Sequence, residues 1–293
     1  MLRRILPERV LGLLACIKGV AKIAGARIAF WANRSVRQPL PAEMIEVLFP
    51  DYREPTKIRY DSEGLLIRAD ANVKRMKKWI DLESVRSALE LGCGDGMVGA
   101  QLKNQTNQCW AMDLSREGFD RRASDRGVVL IQGDVRNLPF EKATFDLVFS
   151  FAAFEHFSDP ARVVEESARV LHSGGFLHLE FGPIAMAPYG LHAYRSIPIP
   201  YAGVLFKQED LLKYARGHGL SDWWPFINGA PLNEYRRIFK AARKDFHVVA
   251  YKEGWSGGAG AELIMRYPAV FRRVSEKIGD FLISGIFVCL RRR

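Results

Sequence analysis

Acidic residues at the ends of β-strands, beside closely spaced glycines, can hold a ribose, a base and a charged tail. The stretch ALELGCGDGMVG, residues 88–99, offers such a set. Counted from Gly94 it reads G-x-G-x-x-G (Gly94, Gly96, Gly99), the turn that seats a dinucleotide pyrophosphate on a helix N-terminus. Counted from Glu90 it is a carboxylate at a strand end followed by G-x-G-x-G (Gly92, Gly94, Gly96). A carboxylate there suits a zwitterionic or cationic tail better than a doubly anionic pyrophosphate. Asp113, at the next strand end, would accept from ribose hydroxyls in either case and does not discriminate.

The elements that must position these residues are legible as an alternation. Short apolar runs at 85–91, 108–114, 128–133, 145–151 and 176–181 read as strands. Between them lie helical stretches at 97–104, at 115–126 with Ser115 as N-cap, and at 159–171 with Asp159 as N-cap and Pro160 at the first position. A further helix is expected over 63–80. Such alternation predicts an α/β fold with a doubly wound, mostly parallel sheet, whose ligands bind beyond the carboxyl ends of the strands. After residue 181 the pattern is less regular. Helices are expected at 208–219, 232–244 and 268–284, and strands at 246–251 and 285–290.

Downstream of the glycines, MDLS (112–115), QGDVRNLPF (132–140), FDLVFSFAAFEH (145–156) and ARVLHSGGFLHLEF (168–181) follow in order. With LELGCGDG they make five successive motifs, and over about residues 63–181 the chain resembles the class I S-adenosylmethionine-dependent methyltransferases of the small-molecule branch. The resemblance implies a Rossmann-like seven-stranded sheet and S-adenosylmethionine as cofactor. It further implies that Glu90, Gly92, Cys93 and Gly94 shape the pocket for the methionine portion. Asp113 would accept from the ribose hydroxyls with Met112 and Leu114 flanking. Asp134 would accept from the adenine amine, the Val135 amide would meet the ring edge, and Phe151 would lie near the sulfonium.

Methyl transfer requires alignment of an acceptor, exclusion of water and, for a hydroxyl or protonated amine, removal of a proton. The absence of an Asn-Pro-Pro-Tyr type stretch after 145–151 disfavours amide or adenine amino methylation, and no cysteine between Cys109 and Cys289 can serve pyrimidine C5. No acidic cluster points to a metal. His156 and His192 are the candidate bases; Glu180, Tyr189, Tyr194 and Tyr201 are candidate acceptor contacts. The expected acceptor is an oxygen or nitrogen of a sugar, a glycan precursor or a secondary metabolite. A nucleic-acid methyltransferase and a cofactor-binding module without catalysis stand as alternatives.

The net charge of +10 is unevenly placed. Residues 1–42 hold eight basic side chains against Glu8 alone, and the chain ends in Arg291, Arg292 and Arg293. The body between is balanced, which argues against a broad basic groove for nucleic acid. The basic arm is expected to be a helix resting on a membrane surface, on the protein body or on a second copy, since its apolar run is too short to span a bilayer. Four scattered cysteines without a C-x-x-C pair fit a reducing, cytoplasmic setting, with the arm allowing attachment at the membrane periphery. The expected organisation is an arm and linker (1–60), a cofactor-binding core (61–181), a substrate lid (182–245) and closing elements of the sheet (246–293).

Overall fold

The computed structural model describes residues 8–32, 38–52 and 61–293, with side chains from Cys16 onward in the first of these segments. The chain forms two compact units, each drawn from three separate stretches of sequence. One comprises residues 56–182, 232–253 and 285–293; the other comprises residues 1–55, 183–231 and 254–284. Residues 232–245, the last part of the expected lid, fold with the first unit and apart from residues 183–231.

The first unit is built on a seven-stranded sheet: β1 (Ser87–Leu91), β2 (Gln108–Asp113), β3 (Val128–Gln132), β4 (Phe145–Phe151), β5 (Leu171–Phe181), β6 (Phe246–Trp255) and β7 (Ile283–Arg292), in the order β3-β2-β1-β4-β5-β7-β6. Strands β1 to β5 pair in parallel, and β7 runs antiparallel to β5. The winding reverses at β1, between β2 and β4, as the doubly wound reading requires. β1 is buried along its whole length, which explains its continuous apolar character.

The helices of this unit are α3 (Ser62–Met76), α4 (Met97–Leu102), α5 (Arg121–Asp125), α6 (Pro160–Val170) and α9 (Leu232–Ala241). Asp61 caps α3 by accepting from the Gly64 amide at 2.8 Å, and Asp159 caps α6 by accepting from Arg162 at 3.0 Å. Leu65, Ala69, Val73 and Met76 of α3 recur at helical spacing and pack with Met97, Val98 and Leu102 of α4 in one core.

Three sequence expectations shift. The helix expected over 115–126 is reduced to Arg121–Asp125, capped by Asp120 rather than Ser115. Residues 115–120 are instead used against the glycine turn: the Asp120 amide donates to the Asp95 carbonyl at 3.1 Å. The helix expected over 268–284 breaks into α11 (Pro268–Val274) and α12 (Gly279–Leu282). Ser275 ends α11, and its hydroxyl donates to Asp280 at 2.6 Å. β5 starts at Leu171 rather than 176, because Leu171 pairs with Phe145 and the ladder resumes at Phe176 opposite Leu147. Residues 172–175, which lie between the expected helix and the expected strand, are thus an excursion within the strand.

The second unit is helical: α1 (Glu8–Ala32), α2 (Glu43–Leu48), α7 (Ala202–Leu205), α8 (Gln208–Gly217), α10 (Ala261–Arg266), α11 and α12. Its core gathers Ala26 and Phe30 of α1, Ile45 and Leu48 of α2, and Phe271 and Phe281 of α11 and α12. The N-terminal helix is therefore an integral part of this core. Gly19 permits the approach, since a Cβ there would stand 2.7 Å from the Gly257 carbonyl oxygen.

A buried carboxylate sits beneath α4. Glu90 is 3% exposed, and its Oε2 accepts from the Gly99 amide of α4 at 2.9 Å. Burial pushes its pKa from 4.5 up to about 8, and the nearby Asp95 and Asp113 carboxylates push the same way against the Gly99 amide and Arg68. Between those two values the folded chain holds a proton that the unfolded chain has released, so stability falls as pH rises through that window. Glu90→Gln keeps an oxygen for the Gly99 amide and abolishes the titration. Thermal unfolding followed from pH 5 to pH 8 should be flatter for the variant, with a difference on the order of a few kcal/mol at the upper end. Parallel profiles would overturn the assignment.

Candidate active site

The carboxyl ends of β1 to β5 are tied to one another. The amides of Gly92 and Cys93 donate to the Met112 carbonyl at 2.8 and 3.1 Å, and Gly133 donates to the Asp113 carbonyl at 2.8 Å. The Ser150 hydroxyl donates to the Leu91 carbonyl at 2.8 Å, and the Ala152 amide to the Glu180 carbonyl at 2.8 Å. The loops that follow β1, β3 and β4 are thereby fixed along one edge of the sheet.

At the first loop Gly92, Gly94 and Gly96 all adopt left-handed backbone, with φ of 64°, 56° and 75°. The space around them differs. A Cβ on Gly92 would stand 2.5 Å from that of Ala153, and one on Gly96 would stand 2.7 Å from Leu130, whereas one on Gly94 would meet nothing within 4 Å. Gly94 therefore borders open space, and its amide donates to Asp113 Oδ2 at 2.8 Å. The other Asp113 oxygen accepts from the Ser115 amide at 3.3 Å. Beside it, Leu114 is 72% exposed, while Met112 is buried.

Glu90 lies under this loop rather than in it. Its carboxyl is held by Gly99, where a Cβ would crowd Glu90 Oε2 and Cys109 Sγ, each at 3.2 Å. The third glycine of the G-x-G-x-x-G match is thus used for helix-to-sheet packing, away from any phosphate position. Cys93 is buried with its thiol pKa pushed well up by burial, so it contributes its backbone amide and no thiolate.

Asp134 is already engaged. Both of its oxygens accept from the Arg136 guanidinium, at 3.0 and 2.9 Å to Nε, and the Arg136 amide adds a bond at 2.9 Å. The guanidinium holds the Asp134 carboxyl below the usual range. This loop is fixed from below by α6. Buried Glu166 accepts from the Leu138 amide at 3.0 Å, and Arg169 donates to the carbonyls of Leu138 and Phe140 at 2.9 and 2.7 Å. Val135 is buried within the loop.

At the ends of β4 and β5, Phe151 lies 5.3 Å from the His178 ring, and the Arg75 guanidinium stands 5.8 Å over its face. Arg75 Nε donates to Glu180 Oε2 at 3.0 Å, so Glu180 is the partner of an arginine. His156 closes a short turn after β4, its Nε2 4.0 Å from Oε1 of the buried Glu155. Burial raises the Glu155 pKa, and the Gly182 amide donates to its Oε1 at 3.1 Å.

The remaining candidates belong to the helical unit. His192 has left-handed backbone (φ 55°), and its Nε2 is 2.9 Å from the Pro183 carbonyl oxygen. Tyr189 and Tyr194 are half-buried. Tyr201 is a correction to the sequence reading: it is 2% exposed, its ring packs on Phe271, and its hydroxyl donates to the Phe281 carbonyl at 3.0 Å. It is a core residue, with its donor already committed.

Sequence reasoning missed Asp95, Gly118 and Arg68. Asp95 accepts from the Met97 amide at 2.8 Å and pairs with Arg68 of α3. Gly118 lies over the glycine turn, where a Cβ would come 3.0 Å from the Gly94 carbonyl oxygen. The signal for Gly118 was the glycine itself, inside a stretch read as helix. Arg68 had none, since a basic residue on an amphipathic helix is ordinarily solvated.

Residues 89–179 match the family model described as a methyltransferase domain. The chain is similar to phthiotriol/phenolphthiotriol dimycocerosates methyltransferase 1 of Mycobacterium ulcerans, with 33% identity covering 32% of this chain and 36% of that protein. It is also similar to 27-O-demethylrifamycin SV methyltransferase of Amycolatopsis mediterranei (28% identity, 41% of this chain and 47% of that protein). A third relative is demethylmenaquinone methyltransferase of Corynebacterium kroppenstedtii (30% identity, 43% and 56%). The chain thus spans between about a third and just over half of the length of these relatives. On the ordered motifs, the doubly wound sheet and this match, residues 89–179 form a methyltransferase domain, similar to those of S-adenosylmethionine-dependent methyltransferases.

Proposed function

We propose that the protein transfers a methyl group from S-adenosylmethionine to an oxygen or nitrogen atom of a small molecule. The observation that carries this reading is the open space at Gly94 beside the Asp113 carboxylate. That opening is a cradle that any Cβ would enter, and it is flanked by exposed Leu114. When bound there, S-adenosylmethionine supplies a methyl group already activated by its sulfonium. Asp113 would orient the ribose, Leu114 would cover a face of the base, and the Gly92–Gly96 turn would admit the methionine portion. Asp134 would offer its remaining acceptor capacity to the adenine amine, alongside its bonds to Arg136.

His156 would hold the proton released by a hydroxyl or amine acceptor, steadied by the buried Glu155 carboxyl beside its Nε2. Phe151 and Glu180 would contact the acceptor. The relatives, among them those named for 27-O-demethylrifamycin SV and demethylmenaquinone, support a small-molecule acceptor, for which a sugar, a glycan precursor or a secondary metabolite is the expected class. The balanced charge of residues 43–290 supports this over a nucleic-acid substrate.

Calorimetric titration with S-adenosylmethionine should show binding, and Asp113→Ala should weaken it by roughly tenfold to a hundredfold, the scale of a lost charge-assisted hydrogen bond. Unchanged affinity in a variant that melts normally would remove Asp113 from the site. Once an acceptor is in hand, His156→Gln should lower kcat by about a hundredfold or more while leaving cofactor affinity unchanged. Equal loss of both would make His156 a structural residue.

A further inference from the structure

The outward face of α1 has a composition that folding of this chain does not explain. With 3.6 residues per turn, Gly19, Ala26 and Phe30 share the face that is buried in the helical unit, with Ile23 at its margin. On the opposite face, Ile17, Val20, Ile28 and Trp31 recur at helical spacing, each between 56% and 72% exposed, with exposed Ala21 and Ala24 filling the gaps. The stripe runs for about 21 Å. A helix that is apolar all round has both faces covered, and here half of it is covered by the protein.

The charges bordering the stripe indicate what covers the rest. Lys18 is exposed at one margin. At the other, the Arg27 guanidinium stands 5.4 Å from the ring centre of Trp255, itself 52% exposed. Lys22 reaches Glu262 at 3.4 Å on the side nearer the core. In sequence, Glu8 is the lone acid among residues 1–42. Beside the stripe a groove of about 620 Å³ is lined by Gly19, Val20, Ile23, Trp255 and Gly257, with Arg27 as its charged member. No described helix is long and apolar enough to cross a membrane.

We propose that α1 lies flat on a membrane containing anionic phospholipid, with Ile17, Val20, Ile28 and Trp31 immersed and Lys18 and Arg27 at the headgroups. Apolar side chains and a tryptophan on one face, with cations at its margins, are the pattern of a helix at the lipid interface. Anionic headgroups answer the charge of this segment, whereas a two-fold contact between copies would set the same cations against each other. The groove beside Arg27 gives an acyl chain an apolar slot next to a partner for its phosphate.

The test uses the full chain and vesicles, with no methyl donor or acceptor, so it is independent of the reading of the active site. The protein should sediment with vesicles of phosphatidylcholine and phosphatidylglycerol, less with phosphatidylcholine alone, and less as salt is raised. The double variant Ile28→Glu, Trp31→Glu, on exposed positions and melting like the parent, should lose roughly a hundredfold in partitioning, from returning two large side chains to water. Lys18→Glu with Arg27→Glu should remove the preference for anionic vesicles. Absence of vesicle binding, or equal binding by the stripe variant, would overturn the proposal. So would a dimer in analytical ultracentrifugation that the stripe variant dissociates without any vesicle binding by the parent, which would assign the face to a second copy.

Discussion

A parallel strand buried on both faces must deliver its chain to a covering helix within a few residues, and at Leu91 that constraint is met by three left-handed glycines. Gly92, Gly94 and Gly96 turn the backbone where side chains on Gly92 and Gly96 would strike Ala153 and Leu130. The turn leaves its amides aimed at β2, where the Met112 carbonyl and the Asp113 carboxylate receive them. Because β2 is tied to β3 by Gly133, and β4 to β1 by Ser150, the geometry of the whole carboxyl edge follows from that one reversal. The site is a by-product of making the turn rigid.

The sheet and its glycine turn were legible in the sequence because they rest on local signals: continuous apolar runs, glycine at positive φ, and acids at caps. Asp159 caps its helix where the local rule places it. What was not legible depended on contacts distant in sequence. Ser115 had the chemistry of a cap, but Gly118 is drawn onto the Gly94 turn, and the helix starts only at Arg121. Tyr201, in a Pro- and Tyr-rich segment, read as an acceptor contact until its ring was found against Phe271 and its hydroxyl on Phe281, eighty positions away.

The histidines make the same point chemically. His178 is wholly buried between Phe151 and Phe287, and neither ring nitrogen has a partner among the described residues. Burial, aided by Arg75, pushes its pKa down to about 4, so it is neutral and serves as an aromatic filler. His156, on the same carboxyl edge, keeps partial exposure and a carboxyl neighbour. Environment, more than residue identity, distinguishes the two.

The threading of the chain bears on how it must be made. Each unit is assembled from three stretches, so the backbone passes from one unit to the other five times. Phe30 of α1 packs 6.1 Å from Phe281 of α12, near opposite ends of the chain. β7, the last strand in sequence, is inserted between β5 and β6. During synthesis neither core can close until nearly the whole polypeptide has left the ribosome, and folding then faces the large loop-closure entropy of long-range pairing. A nascent chain of this kind exposes α1 from early in its translation and the unpaired edge of β5 from the time that strand emerges, which makes it a natural client for chaperones that shield apolar helices and open strands.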